Sequence, residues 1–362
     1  MLVNMKNNKV KFNNTKGILS KNENNFIIKI KTNNTGASND NQFRLPLRST
    51  FAYDFNIDWG DNTREHISTS SSVTHTYPAE GTYTIRINGW FPLIYFNNTG
   101  DKLKLIEIKS WGDGKIKWTS FENAFFGCTN MICTAPDTPN TSTIKKFSRA
   151  FRDCPNFDSA SISHMNTSSA TTMFEMFRGC TRFNQSLYFN TTNCTTMKRM
   201  FMGCSYFNGD ISTFDTLNVT DFTAMFLRAY RFNHSINHFD LSSATLCGSM
   251  FYNNYHFNQP VNNLNTSSVK SFYRMFYGCS VFNQDVSSWN ISSLTAAGQM
   301  LKNTAFDTTN YDKLLDAWEG QPHNDNVAFE SPAKYTSGST AEAARNRLIN
   351  DDGWTITDGG PV

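Results

Sequence analysis

The feature that most constrains this chain is residues 275–283, Met-Phe-Tyr-Gly-Cys-Ser-Val-Phe-Asn, because close copies of this segment recur about every 25 residues. With the second residue of each copy taken as its anchor, the anchors are Phe125, Phe151, Phe177, Phe201, Phe226, Phe251, Phe276 and Leu301. The gaps between successive anchors are all 24–26 residues. Self-similarity at a fixed period of about 20–50 residues is the signature of a repeat architecture. The sequence therefore predicts a stack of about eight equivalent units.

Within each copy, the apolar residues before the anchor follow a helical period. Val269, Phe272 and Met275 precede Phe276 at spacings that form one face of a two-turn helix. Gly278 follows directly and is a residue type that ends helices. We therefore predict a short helix in every copy, with its apolar face buried against neighbouring copies because so short a helix is marginal alone. The predicted core of the repeats consists of Phe151, Phe177, Phe201, Phe226, Phe251 and Phe276.

A polar position and a short extended segment follow each anchor. An Asn recurs seven residues after the anchor, as Asn184, Asn208, Asn233, Asn258 and Asn283. Because Asn at a turn binds nearby backbone groups, we predict a ladder of Asn side chains that joins neighbouring copies. The segments that come next, such as residues 285–290, are predicted as strands. These strands would stack as a parallel sheet with about 4.8 Å between neighbours.

Seven of the eight cysteines occupy recurring positions of the same repeat. Cys194 and Cys247 stand at positions that are apolar in other copies, and Ala229 and Asn254 replace the recurring Cys in two copies. We therefore predict that the cysteines are small buried hydrophobic residues. Disulfides or a metal site are the alternative, although no Cys-x-x-Cys pair supports zinc. Five cysteines lie three residues after an anchor: Cys128, Cys154, Cys180, Cys204 and Cys279.

The first 24 residues differ from the rest of the chain. Residues 1–24 are rich in Lys and Asn and have no apolar period, so we predict an irregular N-terminal arm. This arm is either a loose terminus or a segment that orders against a partner. It lacks the apolar stretch of a secretory signal, and no run in the chain reaches the roughly 18–20 apolar residues of a transmembrane helix. We therefore expect no membrane insertion.

The region between the arm and the repeats has the pattern of a β-protein. Residues 26–30 are rich in β-branched side chains, and residues 51–59 alternate apolar with polar side chains, as strands do. Residues 73–77 and 82–87 are two more strand candidates joined by a Pro- and Gly-containing turn. We therefore predict a small antiparallel β-sandwich over residues 25–100.

Short motifs within this region resemble those of the polycystic-kidney-disease-type (PKD) domain. They are residues 58–61, Asp-Trp-Gly-Asp, residues 75–78, His-Thr-Tyr-Pro, and residues 81–85, Gly-Thr-Tyr-Thr-Ile. Asn62 stands where that family usually has a Gly. The resemblance implies an immunoglobulin-like sandwich that serves as a spacer or interaction module. The two carboxylates of residues 58–61 are expected to stabilise a turn, because calcium prefers about 6–8 oxygen ligands.

The repeats and the C-terminus resemble the BspA-like leucine-rich-repeat (LRR) surface proteins. The resemblance rests on the repeated motif, on residues 311–318, Tyr-Asp-Lys-Leu-Leu-Asp-Ala-Trp, and on residues 353–360, Gly-Trp-Thr-Ile-Thr-Asp-Gly-Gly. It implies an LRR-like α/β solenoid over residues 101–306 and a C-terminal helical cap over residues 307–362. The overall fold class is thus predicted to be α+β. The resemblance also implies a surface-displayed recognition or adhesion role.

A binding surface is predicted on the polar residues between the anchors, which the repeat leaves free to vary. Such residues are expected to face outward from the parallel sheet, and repeat proteins commonly present such a surface to partners. Simple solvation of the sheet is the alternative for each residue. The candidates are Ser186, Tyr188, Asp210, Thr213, Asn237, His238, Asn262, Asn263, Asp285 and Ser288.

Catalytic and metal-binding motifs do not stand out in the sequence. There is no Gly-rich phosphate loop, no His-Glu-x-x-His and no Gly-x-Ser-x-Gly. His234, His238 and His256 fall in neighbouring copies, and we predict solvated polar side chains there, with a metal site as the alternative. Paired carboxylates at glycosidase-like separations are a further alternative, but no lone acidic pair is evident. We therefore predict no enzyme activity, no metal and no cofactor.

These observations lead to a functional hypothesis. The net charge of +3 is only mildly basic, so we expect no nucleic-acid partner. We expect a structural or recognition protein on a virion surface, such as a bacteriophage tail or capsid-attached protein. The arm would contact other virion or surface proteins, and the repeats a host surface protein or glycan. A bacterial cell-surface adhesin is the second hypothesis, and a carbohydrate-active enzyme the third.

Overall fold

The computed structural model describes residues 25–362, so the predicted arm, residues 1–24, lies outside the described residues. The chain divides into two compact units, Met1–Thr167 and Ser168–Val362.

The main sheet of the first unit has six strands in the order β4-β3-β6-β1-β7-β8. Neighbouring strands are antiparallel, except that β7 and β8 are parallel. A separate antiparallel pair consists of β2, Gln42–Leu45, and β5, Val73–Thr76. The strands of the main sheet are β1, Phe26–Lys31; β3, Asp54–Asp58; β4, Arg64–Ile67; β6, Thr82–Trp90; β7, Leu105–Trp111; and β8, Ile132–Cys133.

Alternating side chains place the apolar core of this unit. In β3, Phe55 and Ile57 are buried while Asn56 is exposed, as expected of a strand with one face on the core. The ring of Phe26 from β1 packs edge-on against Trp118, with the ring centroids 4.9 Å apart. The predicted strands at residues 26–30, 73–77 and 82–87 are all present.

The predicted PKD-like antiparallel sandwich is wrong. The main sheet is mixed, and the second sheet contains only two strands. The cause lies beyond residue 100, because β7, Leu105–Trp111, pairs with the edge of β1 that β6 leaves open, and β7 in turn pairs in parallel with β8. Both added strands come from the region assigned to the repeats, so the sheet extends past the predicted domain and is not purely antiparallel.

A buried lysine fixes a long loop of the first unit. Lys104 is fully buried, and its ammonium group donates hydrogen bonds to the carbonyl oxygens of Ser38, Asn39 and Gln42 at 3.0, 2.8 and 2.9 Å. Asp101 accepts hydrogen bonds from several groups of the same loop, including the Ser38 hydroxyl at 2.5 Å. Burial lowers the pKa of Lys104, although Asp101 opposes the shift. Charged groups thus hold this loop and the start of β2 in place.

The second unit has little regular secondary structure. Among its residues, α1, Thr308–Glu319, and α2, Thr340–Asn350, are the α-helices, and β9, Ala328–Glu330, pairs in parallel with β10, Thr355–Thr357. Both helices and β10 lie in residues 307–362, the segment for which the sequence predicts a C-terminal helical cap. Asp307 caps α1 by accepting a hydrogen bond from the backbone of Asn310 at 2.9 Å. In the first unit, Ala160–Ile162 forms a short 3₁₀ helix.

The predicted LRR-like α/β solenoid is wrong, because the copies contain turns in place of the predicted helices and strands. Around each anchor, hydrogen bonds join residues three apart, such as Met275 to Phe272 at 2.9 Å. The residues two before and two after each anchor have left-handed backbones, for example Arg274 with a φ of 56°. A helix cannot continue through such residues. Those before the anchors are Asn123, Arg149, Glu175, Arg199, Ala224, Ser249, Arg274 and Gln299.

The predicted strand segments are turns as well. The backbone of Phe214 donates to the carbonyl of Ile211 at 3.0 Å, and this bond closes a turn. The two apolar residues are three positions apart, whereas residues on one face of a strand are two positions apart. Parallel pairing occurs instead five residues before each anchor from Phe177 to Leu301, as one bridged residue per copy. These bridges join Thr172, Thr196, Asp221, Leu246, Ser271 and Ala296 in sequence. The predicted α+β class is therefore wrong. The described residues consist mostly of loops and turns, with a small mixed sheet and two α-helices.

Backbone hydrogen bonds and stacked rings hold the copies of the second unit together. Phe226 donates to the carbonyl of Met250 at 2.8 Å, and equivalent bonds recur in neighbouring copies. The anchor rings are fully buried, and successive centroids lie 5.4–5.8 Å apart from Phe177 to Phe276. A second column of Phe packs beside the first, with Phe232 only 4.0 Å from Phe226. Side-chain columns thus replace long strands.

Two polar positions also link the copies. The predicted Asn ladder is confirmed, since the Asn233 backbone donates to the Asn208 side chain at 2.9 Å and the series continues to Asp307. The recurring Cys is more than a packing residue. The thiol of Cys204 donates to the carbonyl of Phe177 at 2.9 Å, and burial raises the pKa of that thiol. All eight cysteines are buried and free.

Candidate functional site

The ten predicted surface residues lie on turns of the segments that connect one anchor region to the next. All ten are exposed or half-buried, and Tyr188 is the most exposed large side chain among them, at 45%. They do not form the face of a sheet, because these segments contain no strand in the second unit. The predicted residues therefore lie on the surface, but this surface consists of turns and is not the face of a sheet.

Several of these side chains are used to join neighbouring copies. The hydroxyl of Thr213 donates to the carbonyl of Phe189 at 3.3 Å, and the hydroxyl of Ser288 donates to the carbonyl of Asn262 at 2.8 Å. A ring nitrogen of His238 lies 3.2 Å from the carbonyl of Ile211. These contacts hold the stack together, so these side chains are less available to a partner than the sequence suggested.

The two acidic candidates have local partners. Asp210 accepts from the Ser212 backbone at 2.9 Å, and Asp285 accepts from the Ser287 backbone at 2.9 Å. Lys313 lies 3.6 Å from Asp285. Burial opposes the change, but the hydrogen bonds from Ser287 and the charge of Lys313 lower the pKa of Asp285. Both carboxylates stabilise turns in this arrangement.

Charge is segregated within each copy of the second unit. We define the anchor segment as the seven residues before an anchor through the five after it, and the connecting segment as the rest. Between residues 168 and 306, all nine Lys and Arg lie in anchor segments, together with two acidic residues. The connecting segments contain four Asp and no Lys or Arg. The anchor segments therefore form a basic side of the repeats.

The most prominent group on this side occupies the positions four and five residues after the anchors. We call it the aromatic–basic edge, and it consists of Arg182, Tyr206, Tyr230, Arg231, Tyr255 and His256. The guanidinium group of Arg231 lies 4.3 Å from the ring centroid of Tyr206. Tyr230 and Tyr255 stack with centroids 5.0 Å apart and planes 4° apart. Equivalent side chains of successive copies thus contact one another along a line.

Turn geometry places this edge on the surface. Each copy returns to the core one residue later, at a buried Phe such as Phe232 or Phe257, so the two residues before it are directed outward. Backbone contacts fix their spacing, since the Tyr206 backbone donates to the carbonyl of Thr181 at 3.1 Å. Nδ1 of His256 donates to the carbonyl of Tyr230 at 2.7 Å. Tyr206 and Tyr255 are 49% and 43% exposed.

The cations of the edge are available to a ligand. Within the described part of the chain, Arg182 and Arg231 form no ion pair and both are exposed. Other cations on the basic side differ, since Arg178 pairs with the buried Glu175 at 2.8 Å and Lys198 pairs with Asp221 at 3.2 Å. The edge thus combines unneutralised positive charge with exposed aromatic rings, a combination that suits polar and anionic ligands.

The first unit offers a shallow groove of about 490 Å³, lined in part by Arg48, Glu122, Lys145 and Lys146. Arg48 pairs with Glu122 at 2.8 Å, and this hydrogen bond raises the pKa of Arg48. The guanidinium group also lies over the ring of Tyr95, 5.0 Å from its centroid. Because Arg48 is held by these contacts, the groove is a weaker candidate site than the edge.

The carboxylates considered as calcium ligands stabilise a turn. Asp58 accepts from the Gly60 backbone at 2.9 Å and pairs with Arg64 at 3.1 Å. Asp61 accepts from the Thr63 backbone at 3.0 Å, and its other oxygen lies 2.8 Å from Nε2 of His75. Burial alone would raise the pKa of Asp61, but these hydrogen bonds outweigh it and the pKa is lowered.

Over residues 25–362, no cluster of three His, Cys, Asp or Glu side chains is arranged to hold a metal ion. His238 and His256 each contact a backbone carbonyl of the preceding copy instead. In the same described range, no helix has the length and apolar character needed to cross a membrane.

Sequence reasoning missed the aromatic–basic edge, although two signals for it were present. Aligning the copies five residues after the anchor gives Arg182, Tyr206, Arg231 and His256 in succession. The second signal is the segregation of Lys and Arg into the anchor segments. The prediction instead followed the connecting segments, because they were interpreted as an exposed sheet.

The fold and this edge define a repeat protein built from stacked turns with a basic, tyrosine-rich side. In a comparison with protein families, residues 119–239 and 209–318 match the family described as "Mycoplasma protein of unknown function, DUF285". These matches cover more than half of the chain, and the chain belongs to this family. Searches of curated proteins and of solved structures gave no match. The assignment to BspA-like LRR proteins and PKD domains is therefore wrong and is corrected to this family.

Proposed function

We propose that this protein is a non-enzymatic recognition protein displayed on a surface, and that the repeats carry its binding side chains. The observation that supports this proposal is that each copy uses different residues for packing and for its exposed surface. Backbone hydrogen bonds and stacked Phe rings repeat almost unchanged, while the exposed position five residues after the anchor varies. That position carries Arg182, Tyr206, Arg231, His256 and Val281 in succession.

The separation of packing residues from exposed residues suits recognition for a physical reason. Stability in a stack of repeats comes from contacts between neighbouring copies, so exposed positions can change without unfolding the protein. Side chains from several copies then act together on one extended ligand, and weak contacts add along the line. A protein of this kind needs no catalytic group.

The location of display is also a proposal. A bacteriophage virion is the leading location, with the arm, residues 1–24, as the attachment to other virion proteins. A bacterial cell surface is the second candidate, and it is compatible with the family description, which names the genus Mycoplasma. Two measurements separate them: mass spectrometry of purified virions, and protease shaving of intact producing bacteria. Detection by neither measurement would contradict surface display.

Binding itself is tested with the purified full-length chain, labelled with a fluorophore and mixed with intact candidate target cells. We expect saturable binding that an excess of unlabelled protein displaces. The competing enzyme hypothesis predicts turnover of glycans that is lost in Asp210→Asn or Asp285→Asn variants. Absence of saturable binding, or turnover that depends on these carboxylates, would overturn the proposal.

A further inference from the structure

We infer that the aromatic–basic edge, Arg182, Tyr206, Tyr230, Arg231, Tyr255 and His256, binds an anionic polysaccharide. This inference rests on the proposed recognition function and names the chemical class of its ligand.

The charge of the aromatic–basic edge is complementary to an acidic ligand. Arg182 and Arg231 are exposed and form no ion pair within the described residues, and Arg228, on the same anchor segment as Arg231, is likewise exposed and unpaired there. The anchor segments carry nine cations against two acidic residues, whereas the connecting segments carry four Asp. Unneutralised guanidinium groups attract carboxylate or sulfate groups and hydrogen-bond to them in pairs. An acidic ligand is therefore directed to this side of the repeats.

The cations of the edge follow the line along which the copies stack. Arg182 and Arg231 occupy the same position in copies on either side of the copy that contributes Tyr206. Neighbouring copies are spaced as closely as the 5.0 Å between the rings of Tyr230 and Tyr255. Cations at intervals of two copies match a polymer with regularly spaced anions better than a single small anion. A chain of acidic sugars has this character.

The aromatic rings of the edge pack against neighbouring side chains of the edge. Tyr230 and Tyr255 stack on each other, and Arg231 covers a face of Tyr206, so these faces are not open to an inserted base. Single-stranded nucleic acids bind largely by stacking bases on free aromatic faces. A polysaccharide needs only ring edges, hydroxyl groups and cations. The phenol hydroxyls, and Nε2 of His256, whose Nδ1 is already bonded to Tyr230, supply such groups.

The experiment measures binding of the full-length protein to immobilised heparin and hyaluronan, with dextran as a neutral polymer and poly(U) as a nucleic acid. The test variant is Arg182→Gln with Arg231→Gln. The matched control is Lys109→Gln with Lys117→Gln, which removes the same charge from exposed positions of the first unit. Thermal unfolding of both variants checks that they fold.

We expect heparin or hyaluronan to bind and dextran not to bind. The edge variant should bind at least about tenfold more weakly, as expected when two charge-assisted contacts are lost. Its affinity should also depend less on salt, while the control keeps the wild-type values. A Tyr206→Ser variant, which keeps every charge, should also bind more weakly.

Several outcomes would overturn the inference. Equal losses in the edge variant and the control would mean that net charge alone is responsible. Preference for poly(U) would make the edge a nucleic-acid site. If neither polyanion binds, yet the labelled protein still binds target cells equally well with and without the edge substitutions, the inference fails while the recognition function stands. Loss of cell binding by the wild-type protein would reject the recognition function itself.

Discussion

The two units bury aromatic cores by different backbone designs. In the first unit, β1 pairs with β6 along the whole of Phe26–Lys31. In the second unit, neighbouring copies share a single bridged residue, such as Leu246 with Ser271. The second design compensates with side-chain columns, in which anchor rings such as Phe226 and Phe251 stack 5.4 Å apart. The comparison teaches that a repeat can replace local secondary structure with contacts between equivalent residues.

The largest expected effect is at the centre of those columns. Phe226→Ala removes a ring that stacks on Phe201, Phe251 and Phe232, and it leaves a cavity in a fully buried site. We expect the free energy of unfolding to fall by about 3–5 kcal/mol, the usual cost of Phe→Ala in a core. Urea denaturation measures the change.

The control for this prediction is Leu217→Ala in the same unit, where the side chain is 48% exposed. Its effect should stay within about 0.5 kcal/mol, as for most surface substitutions. A negligible loss of stability in Phe226→Ala would show that the columns do not carry the stability of the repeats.

The next largest effect is expected in the first unit, where the buried ammonium group of Lys104 holds a loop by hydrogen bonds. Lys104→Met keeps the bulk of the side chain but leaves the carbonyl groups of Ser38, Asn39 and Gln42 without their donor. It also leaves the carboxylate of Asp101 without its nearby buried cation. Breaking a buried charged network is strongly destabilising, and we expect a loss of about 2–4 kcal/mol.

Lys109→Met is the matched control, because Lys109 is an exposed residue of β7 in the same unit. It should unfold at nearly the wild-type urea concentration. Equal stability of Lys104→Met and Lys109→Met would mean that the loop is held by its backbone alone. The buried charge would then not be one of the features that distinguish the first unit from the second.

The sequence predicted the first unit's strands better than the local structure of the repeats. The strand signals are local: side chains alternate within Asp54–Asp58, and β-branched residues are frequent within Phe26–Lys31. Each signal extends over a few residues, which is the length of a strand. The extension of the sheet by β7 could not be predicted, because the pairing of β1 with β7 joins segments more than 70 residues apart.

The repeats show the opposite behaviour. The period and the Asn ladder follow from equivalence between copies and could be predicted. The turns could not, because turns closed by hydrogen bonds between residues three apart also give the apolar spacing of a helix. Left-handed residues such as Arg199 and Glu175 are types that carry no turn signal. The spacing of three between Ile211 and Phe214 was a usable sign that no strand lies there.

A smaller effect, of opposite sign, is expected where one copy departs from the pattern. Asn254 occupies the position of the recurring Cys, is fully buried, and has no hydrogen-bond partner for either side-chain polar atom. In the next copy, Cys279 donates to the carbonyl of Phe251 at 2.9 Å. Asn254→Cys should therefore raise the free energy of unfolding by about 1–2 kcal/mol, since buried unsatisfied polar groups are costly.

Asn254→Ala separates the two contributions to this gain. It removes the unsatisfied amide without adding a thiol, and Ala229 shows that the position accepts Ala. Its stability should lie between those of the wild type and Asn254→Cys in a thermal melt. Lower stability than the wild type in both variants would show that the amide is satisfied in solution and that this copy is not a weak point.

The smallest effect distinguishes most sharply between a stack of turns and a stack of helices. Ser249 lies two residues before its anchor and has a φ of 57°. Gly adopts this left-handed conformation without the roughly 1 kcal/mol penalty of other residues, so Ser249→Gly should stabilise the protein by about 0.5–1 kcal/mol. In the interior of a helix, the same change would destabilise the protein by about 0.5 kcal/mol. Ser249→Ala is the control, because Ala keeps the Cβ atom and gains nothing at a positive φ, whereas in a helix it would be the more stable of the two variants. The order of the melting temperatures, Gly above Ala for turns or Ala above Gly for helices, therefore decides which backbone the repeats adopt.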